Sequence, residues 1–304
     1  AAAHNILCLT YTEAATVAMR NRLVEIIGPA AHQVHIHTFH GFCNKVIQEN
    51  LNIFGAYRQL EPITDLETVD IFRALIDSLP SDNILKRFKD DRYYEKDRMQ
   101  NLFDLMKKEN ISSEELIALV DRHLKEKRES DEYIAKRAST SKGRRWKKGE
   151  FRQDKYEDYA IKFDTLKAAA KEYQNYQDLM QEHERYDYND MILWVLEEFK
   201  QNELLLSQYQ ERYQYFLVDE YQDTNGSQNA ILSLLIDYWD QANVFVVGDD
   251  DQAIYKFQGA SIDNLVKFRN DYNPEIIVLK KNYRSNQKIL DSASSLIQLN
   301  TKRL

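Results

Sequence analysis

The stretch Tyr215-Phe216-Leu217-Val218-Asp219-Glu220 constrains this chain more than any other. A short, mostly apolar run passes directly into two adjacent carboxylates. Such a run, bounded by polar residues, fits a strand buried on both faces of a parallel sheet. In open α/β sheets, ligands bind just outside the carboxyl ends of those strands. An Asp-Glu pair at that position suits nucleotide hydrolysis. Asp219 would hold Mg²⁺, directly or through water, and Glu220 would orient or deprotonate the attacking water. The same letters also fit a strand that ends in solvated acids. The rest of the chain has to decide.

The pattern repeats along the sequence. Ile6-Leu7-Cys8-Leu9 reads as a buried strand ending at Thr10-Tyr11-Thr12, followed by a helix over 14–27 that Gly28-Pro29 stops. Val34-His35-Ile36-His37 is a second strand, ending at Thr38-Phe39-His40-Gly41, with a helix over 42–50 behind it. Strand and helix alternate again from Tyr215. A helix is expected over 228–238, then the strand Val244-Phe245-Val246-Val247, ending at Gly248-Asp249-Asp250-Asp251-Gln252. A helix over 262–270 leads to a last strand over 276–279, which ends at Asn282-Tyr283-Arg284-Ser285, and a helix over 286–299 follows. Five apolar strands thus end in polar constellations. In a parallel sheet those ends share one edge and converge on one crevice.

Between residues 65 and 201 the grammar differs. Helical stretches are expected over 66–79, 84–88, 94–109, 112–127 and 151–184, with no convincing strand. Ser112 followed by Glu115 forms a capping-box start. The expected fold class is therefore α/β, a parallel-sheet domain carrying a large all-helical insertion. Residues 1–60 and 187–285 are assigned to the sheet domain, 61–186 to the insertion, and 286–304 to the start of a link.

Composition bounds the function classes. The 304 residues include 30% charged residues, only 8 glycines and 4 prolines, as a helix-rich chain would. No apolar run approaches the ~20 residues of a membrane span. The two cysteines, Cys8 and Cys43, suggest no disulfide framework, so a cytoplasmic location is the expectation. The net charge of −8 does not advertise nucleic-acid binding, yet binding depends on local patches. Residues 136–155 carry nine Lys or Arg against two acids, which suits either a solvated loop or a contact surface.

The residue types at the strand ends suit nucleotide hydrolysis coupled to a single strand. Gln252 has an amide that both donates and accepts, as a sensor of a phosphate or a water must. Arg284 offers a fixed charge for transition-state oxygens, and Tyr283 beside it can stack on a nucleobase. The aromatics Tyr255 and Phe257, with Lys256 between them, fit a stacking platform for single-stranded nucleic acid. Singly, Tyr255 and Phe257 also fit core positions, and Arg284 also fits a surface ion pair.

Together, Thr10 to Ala15, Thr38 to Gly41, Leu217 to Thr224, Val247 to Tyr255 and Asn282 to Ser285 resemble motifs Ia, Ib, II, III and IV of the UvrD/Rep family. These are superfamily 1 DNA helicases. The hexapeptide Tyr186 to Met191 is similar to the family's short motif before domain 1A resumes. The resemblance implies an ATP-dependent translocase moving 3′ to 5′ on single-stranded or partly duplex DNA. It implies a RecA-like domain 1A interrupted by helical domain 1B, with ATP and Mg²⁺ at the strand ends. It puts Tyr283 against the adenine, and Gln252 and Arg284 near the γ-phosphate. It lines the DNA channel with Thr10, Tyr11, Thr12, Thr38, Phe39, His40, Tyr188, Tyr255 and Phe257. His40 would donate to a phosphate there, although it also fits as a cap on the helix behind it.

The sequence departs from the family in one large respect. It contains no Gly-x-x-x-x-Gly-Lys-Ser/Thr, the loop that cradles the phosphates. The expectation is a fragment of a longer helicase, with that loop upstream of Ala1 and the second motor domain downstream. Gln258, where the family usually has arginine, and Glu13, where many members have asparagine, are smaller departures. Two other readings stay open: the motor subunit of a recombination-type helicase–nuclease, and a non-catalytic nucleic-acid-binding protein that has lost its phosphate loop.

Overall fold

A computed structural model describes residues 2–86, 91–138, 146–252 and 262–297. The chain forms two compact units: Ala1–Gly55 with Tyr188–Leu304, and Ala56–Asp187.

The first unit is built on a parallel sheet. Strand β1 (Ile6–Thr10) leads to helix α1 (Glu13–Ile27), and β2 (His35–Thr38) leads to α2 (Phe39–Glu49). Each helix starts where a threonine hydroxyl replaces a missing backbone partner. Thr12 accepts from the Ala15 N–H and Thr38 from the Gly41 N–H. Gly28, at φ +65°, ends α1 in a conformation that side chains resist.

The second unit runs through β3 (Glu61–Pro62), α3 (Asp65–Ser78), α4 (Lys96–Glu109), α5 (Ser113–Glu129), α6 (Gln153–Lys171), α7 (Tyr173–Glu182) and β4 (Arg185–Tyr186). Capping boxes start two of its helices, Thr64 with Glu67 on α3 and Ser112 with Glu115 on α5. Its core is aromatic: Phe72 stacks on Phe103 and Tyr176 at centroid separations of 5.7 and 5.0 Å. Burying a side chain of that size contributes about 1.5–3 kcal/mol. Lys107 is the exception in this interior. It is 1% exposed, 2.6 Å from the Asp187 carboxylate and 5.1 Å from the Tyr176 ring centroid.

The chain then returns to the first unit through α8 (Tyr188–Gln201) and α9 (Glu203–Arg212), followed by β5 (Tyr215–Val218), α10 (Gly226–Ile236), β6 (Asn243–Val246), α11 (Ile262–Tyr272) and α12 (Gln287–Ile297). The sheet order is β2-β1-β5-β6, with every neighbouring pair parallel. Side chains alternate between the faces of a strand. The register therefore puts Leu7, Leu9, Phe216 and Val218 on one face, where all four are buried. Cys8, Ile36, Leu217 and Phe245 share the other. Met19 and Leu23 of α1 pack on Cys8 and Ile36, whereas Leu217 and Phe245 are exposed. Both cysteines are free and buried, and burial pushes their thiols up, Cys8 to about 11.

Three expectations are corrected. Residues 276–279 form no strand: all four side chains are exposed, and the sheet has four strands among the described residues. A β-branched run supplies propensity, but a strand needs a partner edge in register, and no described strand offers one. The helical unit does contain strands, since β3 and β4 form a two-residue parallel pair, too short for any periodicity to reveal. The helix expected over 151–184 is divided at Glu172 into α6 and α7. Beyond that break, Tyr173 and Tyr176 both pack on Phe103.

Candidate active site

Because the strands are parallel, the carboxyl ends of β1, β2, β5 and β6 lie on one edge of the sheet. Backbone pairing extends past the last strand residues there. The Asp219 N–H donates to the Leu9 carbonyl, the Val247 N–H to Val218, and the Tyr221 N–H to Val247. Asp219 is thereby fixed between β1 and β6. Glu220 follows in the left-handed region, at φ +50° and ψ +46°. A non-glycine residue held there costs about 1–3 kcal/mol, and such strain collects at functional sites.

The short helical turn Tyr221–Asp223 comes next. Tyr221 is buried edge-on against Phe268 of α11. Gln222 is buried as well, and its amide spans two strand ends. Its Nε2 donates to the Glu220 carboxylate at 2.5 Å, and its Oε1 accepts from the Asp249 N–H at 3.1 Å. Asp249 in turn accepts from the Gln252 side-chain amide at 2.6 Å and from the Asp251 N–H at 3.0 Å. The expected pair on β5 and the expected amide beyond β6 are thus joined by hydrogen bonds. The residue that joins them, Gln222, lies within the stretch 217–224 that carries the family resemblance, but has no role assigned to it from sequence.

The electrostatics of this edge are one-sided. Burial, then the charge of Glu220, pushes the Asp219 carboxyl above its ordinary value, and the same two causes raise Asp223. Among the described residues no Lys or Arg forms an ion pair with Asp219, Glu220, Asp223 or Asp249. The donors suit a hard dication, because carboxylate oxygens are what Mg²⁺ takes. No three His, Cys, Asp or Glu side chains among the described residues form a complete protein cage.

The β1 and β2 ends form a second group. Thr10 is buried and donates its hydroxyl to the Thr12 carbonyl. Thr38, also buried, donates to the Glu13 carboxylate at 2.9 Å. A Cβ on Gly41 would come within 3.1 Å of the Thr38 oxygen, so glycine leaves room for that hydroxyl. Phe39 is buried, Tyr11 and Tyr188 are exposed, and the half-buried His40 ring lies edge-on to Tyr188 at 6.4 Å. Tyr255, Phe257 and Gln258 lie outside the described residues, as do Lys142, Arg144 and Arg145 of the basic segment.

The last constellation follows no strand. Asn282 accepts from the backbone N–H groups of Arg284 and Ser285, while Tyr283 is 91% exposed. Among the described residues, no hydrogen bond or ion pair joins Tyr283 or Arg284 to the β5 and β6 ends.

Fold and site define the class: a parallel-sheet α/β protein with an acidic pair and a side-chain amide linked across neighbouring strand ends. The chain belongs to the UvrD/Rep helicase family, with residues 1–273 matching the UvrD/REP helicase N-terminal domain. It is 27% identical over 302 residues to the ATP-dependent DNA helicase PcrA of Bacillus subtilis (strain 168), covering 98% of this chain and 34% of that protein. It is 29% identical over 302 residues to PcrA of Staphylococcus aureus (strain Mu50), covering 99% of this chain and 34% of that protein. The chain therefore spans about a third of the length of these curated relatives.

Proposed function

We propose that this chain forms the 1A and 1B portion of an ATP-driven DNA helicase that moves 3′ to 5′ on single strands. The observation that carries the reading is the hydrogen-bonded link from Glu220 through Gln222 and Asp249 to Gln252. It joins Glu220 and Gln252, which we read as base and phosphate sensor, in one connected unit at the sheet's carboxyl edge. Asp219 holds Mg²⁺ with Glu220 beside it, and the ion, when bound, neutralises charge on the transferring phosphate. Glu220 orients and deprotonates the attacking water, and Gln252 faces the γ-phosphate. Tyr283 stacks on the adenine, and Arg284 answers charge on the γ-phosphate; their exposure suits groups that meet a ligand.

On the DNA side, the exposed Tyr11 and Tyr188 supply stacking faces, and Tyr255 and Phe257, which lie outside the described residues, are assigned to the same contact by their sequence pattern. Thr12 and His40 supply hydrogen bonds to phosphates. The buried Thr10, Thr38 and Phe39 shape this channel from behind. Residues 61–186 act as domain 1B. Affinity for single strands rests on phosphate contacts and falls steeply with salt.

In the full-length protein, single-stranded DNA is expected to stimulate ATP hydrolysis, and Glu220→Gln to lower kcat by about 10²–10⁴-fold while nucleotide binding persists. Unchanged turnover in that variant would sink the assignment. The present polypeptide, lacking the phosphate-cradling motif in its sequence, is expected to hydrolyse little ATP on its own. Robust DNA-stimulated turnover by this chain alone would show that expectation to be wrong.

A further inference from the structure

Gln222 is 1% exposed although its side-chain amide is polar at both ends. A buried amide of this kind is costly unless both ends are bonded. Here both are, and the partners fix which way the amide points. The Asp249 N–H can only donate, so the amide oxygen faces it, and the NH₂ is turned onto the Glu220 carboxylate.

The surroundings are shaped to hold that amide. A Cβ on Gly248 would lie 3.0 Å from Gln222 Oε1, so a side chain there would press on the amide, and glycine leaves it room. The left-handed backbone at Glu220 lets its carboxylate receive a bond from a side chain two residues on. Asp249 then passes the connection to Gln252. The strain at Glu220, the glycine at 248 and the buried amide serve one contact.

We propose that Gln222 is a positioning residue for ATP hydrolysis, setting the Glu220 carboxylate against the Asp249–Gln252 turn. The inference rests on the reading of Glu220 as the water-activating base, and it adds the group that aims that base. A carboxylate free to turn over several rotamers spends less time aligned on water, and a displacement of about 1 Å at a reacting group can cost about 100-fold in rate.

The test uses the full-length protein and DNA-stimulated ATP hydrolysis. Gln222→Met keeps length and burial but removes both hydrogen bonds; kcat is expected to fall by about 10–100-fold, with KM for ATP within about threefold. In the double variant with Glu220→Gln the two losses should not multiply, because Gln222 acts only through Glu220. A purely structural role would instead lower stability and leave that non-additivity absent. Gln222→Glu is the second variant: it can still accept from the Asp249 N–H but faces Glu220 with a like charge. It should lose kcat while keeping the Asp249 amide protected from hydrogen exchange, and it carries the test should Gln222→Met not fold. Turnover within twofold of the parent in either folded variant, or fully multiplicative losses, overturns the proposal. Failure of the underlying reading looks different: no DNA-stimulated hydrolysis in the parent, or no effect of Glu220→Gln.

Discussion

In the helical unit, Glu67 accepts from the backbone and hydroxyl of Thr64 and from the Arg185 guanidinium, which hold its carboxyl down at about 2. At the sheet edge, burial and the neighbouring charge of Glu220 push Asp219 and Asp223 the other way. The first unit can also pair its acids. Burial alone would raise Glu49, yet hydrogen bonds from Lys45, Arg212 and Tyr209 lower it on balance. The raised carboxylates are therefore a property of one edge, not of one unit. A carboxylate lowered by its neighbours is satisfied by the protein and needs nothing further. One raised by its neighbours favours a cation that the protein itself does not bring. The contrast separates charges that hold the fold from charges that do chemistry.

The strongest way to break this comparison is through Lys107 and Asp187. If charge in the helical unit is structural, Asp187→Asn should destabilise sharply, because it removes the partner 2.6 Å from a 1% exposed ammonium. Breaking a buried pair costs about 3–5 kcal/mol, and the partial exposure of Asp187 places this one near the lower bound. Lys107→Met should cost less, since it removes the charge together with its need for a partner. Urea denaturation of this chain decides the matter. Equal losses in the two variants would mean that packing, not pairing, keeps Lys107 inside.

The helix caps give a smaller effect of the same kind. Ser112→Ala and Thr64→Ala each remove a hydroxyl that accepts from an orphan N–H, and each is expected to cost about 1 kcal/mol. Thr64→Ala also takes from Glu67 the bond donated by the Thr64 hydroxyl and leaves the one from the backbone N–H, so the Glu67 carboxyl should move part of the way up toward its ordinary value in a side-chain NMR titration. A Glu67 that titrates unchanged in the variant would place its lowering with the Thr64 backbone N–H and Arg185 instead.

What could be read from sequence follows the range of the interactions involved. Ser112 and Glu115 lie within one helical turn of each other, and their capping box is written in those few letters. The strand ends at Thr10, Thr38, Asp219 and Gly248 were legible for a similar reason, since an apolar run stopping at a polar residue is a local event. The run over 276–279 looks the same locally and is no strand, because a ladder depends on a distant partner. Gln222 was illegible on the same grounds: what it bonds across the edge is the backbone of a residue 27 positions away. Nor does anything in Asp-Glu-Tyr-Gln announce the left-handed backbone at Glu220, which only the closure of that network makes worthwhile. Glu220 was visible, and the amide that bonds its carboxylate was not.

The pH dependence offers the smallest effect and the sharpest sign. For Asp219 and Asp223 the folded value lies above the unfolded one. Their contribution to stability is therefore fully present below the ordinary carboxylate range of about 4 and is lost as pH rises through the raised values. At neutral pH the two charges work against folding, so Asp219→Asn is expected to stabilise this chain, by no more than about 1 kcal/mol. The gain should shrink as pH falls toward and below about 4, as the parent's carboxylates take up protons. Glu67 runs in the opposite sense: its contribution is present above the unfolded carboxylate value and is lost as pH falls toward about 2. Melting curves of Asp219→Asn and the parent at pH 7 and pH 4 measure the first arm. Amide exchange across α3 between pH 4 and pH 2 measures the second. A stabilisation by Asp219→Asn that stays constant between pH 7 and pH 4 would remove the charge argument at the sheet edge and leave only a packing effect. Mg²⁺ sharpens the same measurement. A cation taken up by the parent's carboxylates raises its stability in proportion to occupancy, so the advantage of Asp219→Asn should shrink as Mg²⁺ is added.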